Sequence, residues 1–210
     1  MDCKNKLVIC NWKEYGDKVE LMNYINQLSC RADLNKIRIV IAPPAPLLSV
    51  PIQIPLAAQH IDHSNGTARI RGNLLRSLGC KYTLCGHSEV GCIDKIAQIQ
   101  ECIKSDILPI VFVENEQDFR ANYLPGCIWV YEPRTSIGTG ILPEIEEINA
   151  MVAIIKEVSD HQALVLYGGS VTSENLPYLL KSQDLDGFCI GKASRDIEEM
   201  LKILTILDHS

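Results

Sequence analysis

No stretch of this chain approaches the roughly 18 consecutive apolar residues that mark a membrane-spanning helix, so no membrane partner is expected. The first residues, Met1 to Lys6, are polar and lack the apolar core of a secretory signal peptide. Positive charge is sparse as well. The formal net charge is -6 and no Lys/Arg run is longer than two residues, which leaves no electrostatic footprint for nucleic acid. The one local basic cluster, Arg69 and Arg71 with Arg76, reads as a solvated loop and a helix start. Linkers, internal repeats and low-complexity segments are absent.

No C-x-x-C occurs among the nine cysteines, which are odd in number and scattered singly, so neither a zinc site nor a redox pair is expected. Cys10, Cys85, Cys127 and Cys189 fall within apolar runs, where a thiol packs as a small hydrophobe. Free thiols in this number point to a reducing, cytoplasmic compartment. There is no G-x-S-x-G, which sets aside a serine-based triad.

What the sequence does contain is alternation. Its 210 residues, 47 % hydrophobic and 22 % charged, suffice for one sizeable core and are expected to form a single domain over residues 1–210. Short apolar runs at Leu7–Cys10, Ile37–Ala42, Leu56–Ala58, Tyr82–Cys85, Leu108–Val113, Ile128–Tyr131, Ala163–Tyr167 and Gly187–Ile190 read as strands covered on both faces. Between them, apolar residues recur at helical spacing: Val19 to Leu28, Ile93 to Ile103, Ile145 to Ile155, Leu176 to Leu180 and Ile197 to Leu204. Strand alternating with helix means a parallel sheet, and eight strands without a break favour a closed, compact α/β (β/α)8 barrel. Two helices are expected to be reduced. Pro46, Pro51 and Pro55 shorten the second, and Glu114 to Gly126 leave the fifth little more than a turn or two.

Polar and glycine-rich groups follow the strands directly. Asn11 and Lys13 come after the first, Gln59 after the third and Gly86-His87-Ser88-Glu89 after the fourth. Glu132 follows the sixth, Gly168-Gly169-Ser170 the seventh and Gly191 the eighth. Taken singly, each has a plain structural reading: Ser88 and Glu89 as helix caps, Glu132 before a proline as a loop residue, Gly168-Gly169 as a turn. Together they would converge on the C-terminal face of a barrel. A carboxylate, an imidazole and a lysine there suit proton abstraction beside a carbonyl, while glycine-rich loops offer backbone N–H groups to a phosphate. No two His or carboxylates near this face share i, i+4 spacing, so no metal is expected, nor a cofactor.

At these residues the chain resembles the triosephosphate isomerase family. The matching pieces, in family order, are Asn11-Trp12-Lys13, Ala58-Gln59, Gly86-His87-Ser88-Glu89, Tyr131-Glu132-Pro133, Ile137-Gly138-Thr139-Gly140, Tyr167-Gly168-Gly169-Ser170-Val171 and Asp186-Gly187-Phe188 with Gly191, Ala193 and Ser194. They run from the first strand to the last. The resemblance implies that Glu132 is the base and His87 the electrophile, with Lys13 neutralising charge, Asn11 beside it and Glu89 in the surrounding network. It implies that Gly138, Ser170 and Gly191 hold the phosphate of a small triose phosphate, with Lys192 close by. Pro133 to Gly140 would be a closing lid, and the protein would form a homodimer or higher homo-oligomer.

The departures are equally specific. The lid's opening hinge reads Arg134-Thr135-Ser136, where Val-Trp-Ala is common in the family, and Lys192 replaces a usual second glycine. Ala68-Arg69-Ile70-Arg71 occupies the region of the usual Thr-Gly-Glu loop, so an interface there would place Ile70 against a neighbour. Val90 and Gly91 stand where basic residues usually follow the fourth-strand motif. The chain is shorter than the roughly 250 residues usual for the barrel, mainly between His87 and Glu132. Two other readings are a phosphate-binding barrel acting on a different sugar phosphate, and a non-catalytic relative that binds a triose phosphate or a protein.

Overall fold

A computed structural model of the protein describes residues 6–34, 36–91 and 94–210; Ile93, expected at the start of a helical stripe, and the polar segment Met1 to Asn5 lie outside them. Eight parallel strands form the sheet: β1 (Leu7–Asn11), β2 (Arg38–Ala42), β3 (Ala57–Ala58), β4 (Tyr82–Cys85), β5 (Leu108–Val113), β6 (Ile128–Tyr131), β7 (Leu164–Tyr167) and β8 (Gly187–Ile190). Their order, β2-β1-β8-β7-β6-β5-β4-β3, is closed by a parallel bridge between Ile41 and Leu56. β3 is only two residues long because Pro55 has no N–H to donate, although its carbonyl accepts the Ile41 N–H at 3.0 Å.

The helices are α1 (Lys18–Arg31), α2 (Gly72–Ser77), α3 (Lys95–Lys104), α4 (Glu116–Asn122), α5 (Ile145–Val158), α6 (Leu176–Leu179) and α7 (Ile197–Asp208). The short helix expected after β2 is a 3-10 helix at Ala45–Ser49 with Pro46 in its first turn. The reduced fifth helix is α4, seven residues started by the Asn115 side chain. At α1 a reciprocal cap fixes the start: Asp17 accepts from the Val19 and Glu20 N–H groups while Glu20 accepts from the Asp17 N–H. Asp94 is the N-cap of α3, its side chain accepting the Ala97 N–H.

Alternate side chains of each strand divide between two apolar layers. Leu7, Ile9, Leu84, Phe112, Val130 and Leu166 fill the barrel interior, whereas Val8, Cys10, Cys85 and Val165 join the outer layer under the helices. Each fully buried Leu, Ile or Phe contributes about 1.5–3 kcal/mol, which is what near-continuous apolarity in the strands provides. Cys10, Cys80, Cys85, Cys102, Cys127 and Cys189 are buried free thiols, and Cys30 is exposed.

The reading of the basic cluster as solvated needs correction at Arg71. Its guanidinium makes a two-pronged pair with buried Glu101 at 2.8 and 2.9 Å, tying the start of α2 to α3. Arg69 pairs with buried Asp62 at 2.8 Å, and Asp62 also accepts the Ile70 N–H at 2.7 Å. The segment between β3 and α2 is thus folded onto its own barrel, with Ile70 half-buried against the outer core of the same chain.

Candidate active site

The C-terminal ends of the strands surround a cavity of about 470 Å³. Asn11, Lys13, His87, Glu132, Gly138, Ser170, Gly191 and Lys192 all line it. Glu89 is not part of the lining; it stands beside it as the ion-pair partner of Lys13, Nζ to Oε1 at 2.5 Å.

Lys13 directly follows β1 and Trp12 with a φ of +54°, a conformation uncommon outside glycine. Local bonds hold it there. Its N–H donates to Asn11 Oδ1 at 3.1 Å, and its carbonyl accepts from Gln59 Nε2 at 2.6 Å. Gln59 also donates to the Ala42 carbonyl, so the ends of β1, β2 and β3 are tied together around the lysine.

His87 is 5 % exposed and lies edge-on to the Phe112 ring. Its Nδ1 accepts the Glu89 N–H at 3.2 Å. A backbone N–H can only donate, so the proton of the neutral ring resides on Nε2. Asn11 Nδ2 sits 3.1 Å from that nitrogen, and with both groups carrying hydrogens the pair presents two donors towards the cavity. Burial holds the imidazole below its usual protonation range; Lys13 pushes the same way and Glu89 opposes it.

Glu132 directly follows β6 and is 6 % exposed. Its Oε2 accepts from Ser88 Oγ at 3.1 Å, and Oε1 lies 4.0 Å from His87 Nε2. Burial raises the carboxyl to about 8, against the lowering effects of the Ser88 bond and Lys13. Gly168 packs close by: a Cβ there would overlap Val130, while meeting the Glu132 side chain only at ordinary contact distance. In the sequence Ser88 stands out only within its motif and as a cap; its bond to Glu132 spans two loops and leaves no local signal.

The segment after Glu132 opens with a 3-10 turn at Arg134–Ser136, where Arg134 pairs with Glu114 at 2.6 Å and Ser136 is buried. Ile137 and Gly138 from this segment face the cavity. Across from them, the loops after β7 and β8 are pinned through their carbonyls. The Ser170 carbonyl accepts from Asn175 at 2.9 Å, and that of Gly191 accepts from the Ser194 N–H and hydroxyl.

A buried carboxylate, a neutral imidazole, a lysine and glycine-rich loops meet at the mouth of a (β/α)8 barrel, a set of groups capable of acid–base chemistry. The family model for triosephosphate isomerase matches residues 6–123 and 114–207. The triosephosphate isomerase of Wolbachia pipientis wMel is 32 % identical over 225 residues, covering 94 % of this chain and 92 % of that protein. That of Buchnera aphidicola subsp. Schizaphis graminum is 30 % identical, with 98 % of each chain covered. That of Mycoplasmopsis agalactiae is 28 % identical, covering 97 % and 96 %. The chain belongs to the triosephosphate isomerase family and is an isomerase.

Proposed function

We propose that the protein interconverts glyceraldehyde 3-phosphate and dihydroxyacetone phosphate through an enediolate. Glu132, ionised, takes a proton from the carbon beside the carbonyl. The released electron pair moves onto the carbonyl oxygen, and the charge is met by the Nε2–H of His87, the Asn11 amide and the Lys13 ammonium. His87 gives its Nε2 proton to that oxygen and takes up the proton of the neighbouring hydroxyl, so that the second oxygen becomes the carbonyl as Glu132 returns a proton to the neighbouring carbon. A glutamate base beside a histidine kept neutral is the arrangement this family commonly illustrates. Before the base can act it must leave Ser88, so Ser88 holds the carboxylate in a resting position. Glu89 neutralises Lys13 and yields it to the substrate.

Backbone N–H groups of Gly138, Ser170 and Gly191 bind the phosphate, with the Lys192 cation at the rim of the site. Pro133 to Gly140 closes as a lid that excludes water and protects the enediolate, a role for which this family is again the usual illustration. Residues 1–210 act as one domain in the cytoplasm and self-associate, as the family resemblance implies; the scattered thiols fit that compartment.

The observation that carries this reading is the pairing of a buried carboxylate with a buried imidazole whose proton is fixed on the nitrogen facing it. Turnover in deuterium oxide tests it. A single carboxyl that shuttles the proton exchanges with solvent, so product recovered after one pass carries carbon-bound deuterium. Product free of deuterium, together with undiminished turnover by Glu132→Gln, would point to direct hydride transfer and exclude the Glu132 mechanism.

A further inference from the structure

Gln98, on α3, is a buried polar side chain to which the chemistry above assigns no role; it is 1 % exposed. Two backbone groups fix the orientation of its carboxamide. The Gly86 N–H donates to Oε1 at 2.9 Å, and Nε2 donates to the Ile61 carbonyl at 2.9 Å. Neither partner can exchange roles, so the amide cannot be turned over. The second Nε2 hydrogen faces His60 Nδ1 at 3.1 Å. That nitrogen therefore accepts, and the proton of the neutral ring points from Nε2 to Asp62 Oδ1, 3.3 Å away. The network has one direction throughout, and it joins the loop after β3 to the loop after β4.

Gly86 is the residue before His87. Its φ is +67°, which glycine adopts at little cost, and a Cβ there would run into the Lys95 side chain. The peptide that carries His87 is therefore gripped by Gln98 through its N–H and bounded by Lys95.

We propose that Gln98 is a positioning residue for His87. By holding the Gly86 N–H it fixes the backbone from which the imidazole projects, and so sets where the Nε2 proton meets the substrate oxygen. The inference rests on His87 being the electrophile. Displacing a catalytic group by about 1 Å costs on the order of 100-fold in rate, while the phosphate loops lie on other strands and keep their grip.

The test is a double-mutant cycle on the full chain with glyceraldehyde 3-phosphate as substrate. Gln98→Met keeps length but removes all three hydrogen bonds of the carboxamide; kcat should fall roughly 10–100-fold with KM changed less than about three-fold. Gln98→Glu keeps an acceptor for the Gly86 N–H and should recover most of the loss. In a His87→Gln background, Gln98→Met should slow the enzyme no further. Rates are referred to the folded fraction from near-UV circular dichroism. If the Met variant does not fold, Gln98→Asn, too short to reach Gly86, carries the same expectation. Full kcat in His87→Gln alone would remove the premise. A slow His87→Gln enzyme combined with wild-type kcat in Gln98→Met, or with equal penalties in both backgrounds, would overturn this inference and leave the site reading intact.

Discussion

Glu132 and His87 are moved in opposite directions by the same cause: burial penalises whichever form is charged. The carboxyl rises to about 8 and the imidazole falls, so each is biased towards its neutral form. Two predictions follow at this scale. The acid limb of kcat/KM should lie well above the ordinary carboxylate range. Because the Ser88 hydroxyl lowers Glu132, Ser88→Ala should move that limb to still higher pH, as a profile from pH 5 to 9 would reveal. The second concerns stability. A carboxyl raised in the folded state leaves stability intact below its unfolded value near 4.5 and erodes it as pH rises towards 8. Glu132→Gln should thus be more thermostable than wild type above pH 8, by up to a few kcal/mol, with the difference vanishing near pH 4. Equal melting temperatures at high pH would show that the carboxylate is not desolvated. Lys13, His87 and Glu132 were legible in the sequence because each follows an apolar run. Ser88 and Gln98 were not, since their partners lie on other loops. The only trace of Gln98 is a polar side chain next to Ile99 in the buried stripe of α3.

Among the elements, strand positions were legible nearly to the residue, because both faces of each strand are covered and apolarity is continuous. The helical stripes were equally plain for α5 and α7; in α1, Val19 and Met22 are exposed, and the buried face is Leu21, Tyr24, Ile25 and Leu28. The segments with little periodicity were harder. α2 spans only six residues, and its anchor is the Arg71–Glu101 pair rather than an apolar stripe. The unusual run Arg134-Thr135-Ser136 acquires a physical meaning here. Arg134 is tied to Glu114, and Thr139 Oγ1 donates to the Thr135 carbonyl at 2.9 Å, so polar contacts brace the segment. At α1, Asp17→Ala removes both acceptor bonds of the cap and should cost about 1 kcal/mol, visible as a lower urea midpoint with kcat unchanged. A fall in kcat instead would mean that the cap shapes the neighbouring Lys13 loop.

For the molecule as a whole, chemistry and stability occupy opposite ends of the barrel. At the end where the strands begin, Lys156 Nζ meets Asp186 Oδ2 at 2.5 Å and the Ala163 carbonyl at 2.9 Å, while Asp186 also accepts the Val165 N–H. Both side chains are nearly buried. Removing one partner strands the other charge, so Asp186→Ala should destabilise the protein by about 3–5 kcal/mol and leave kcat per folded molecule unchanged. Parallel alternation made the barrel and its closure readable, but not how slight the closing contact is: one bridge between Ile41 and Leu56 completes the ring.

The measurement that bears most directly on the account is steady-state isomerisation of glyceraldehyde 3-phosphate by the intact protein and by Glu132→Gln. The account predicts rapid turnover that falls by about 100–10,000-fold in the variant, the usual worth of a positioned general base, with KM changed little. An intact protein no faster than the variant would contradict it, and would mean that this constellation binds a triose phosphate without converting it.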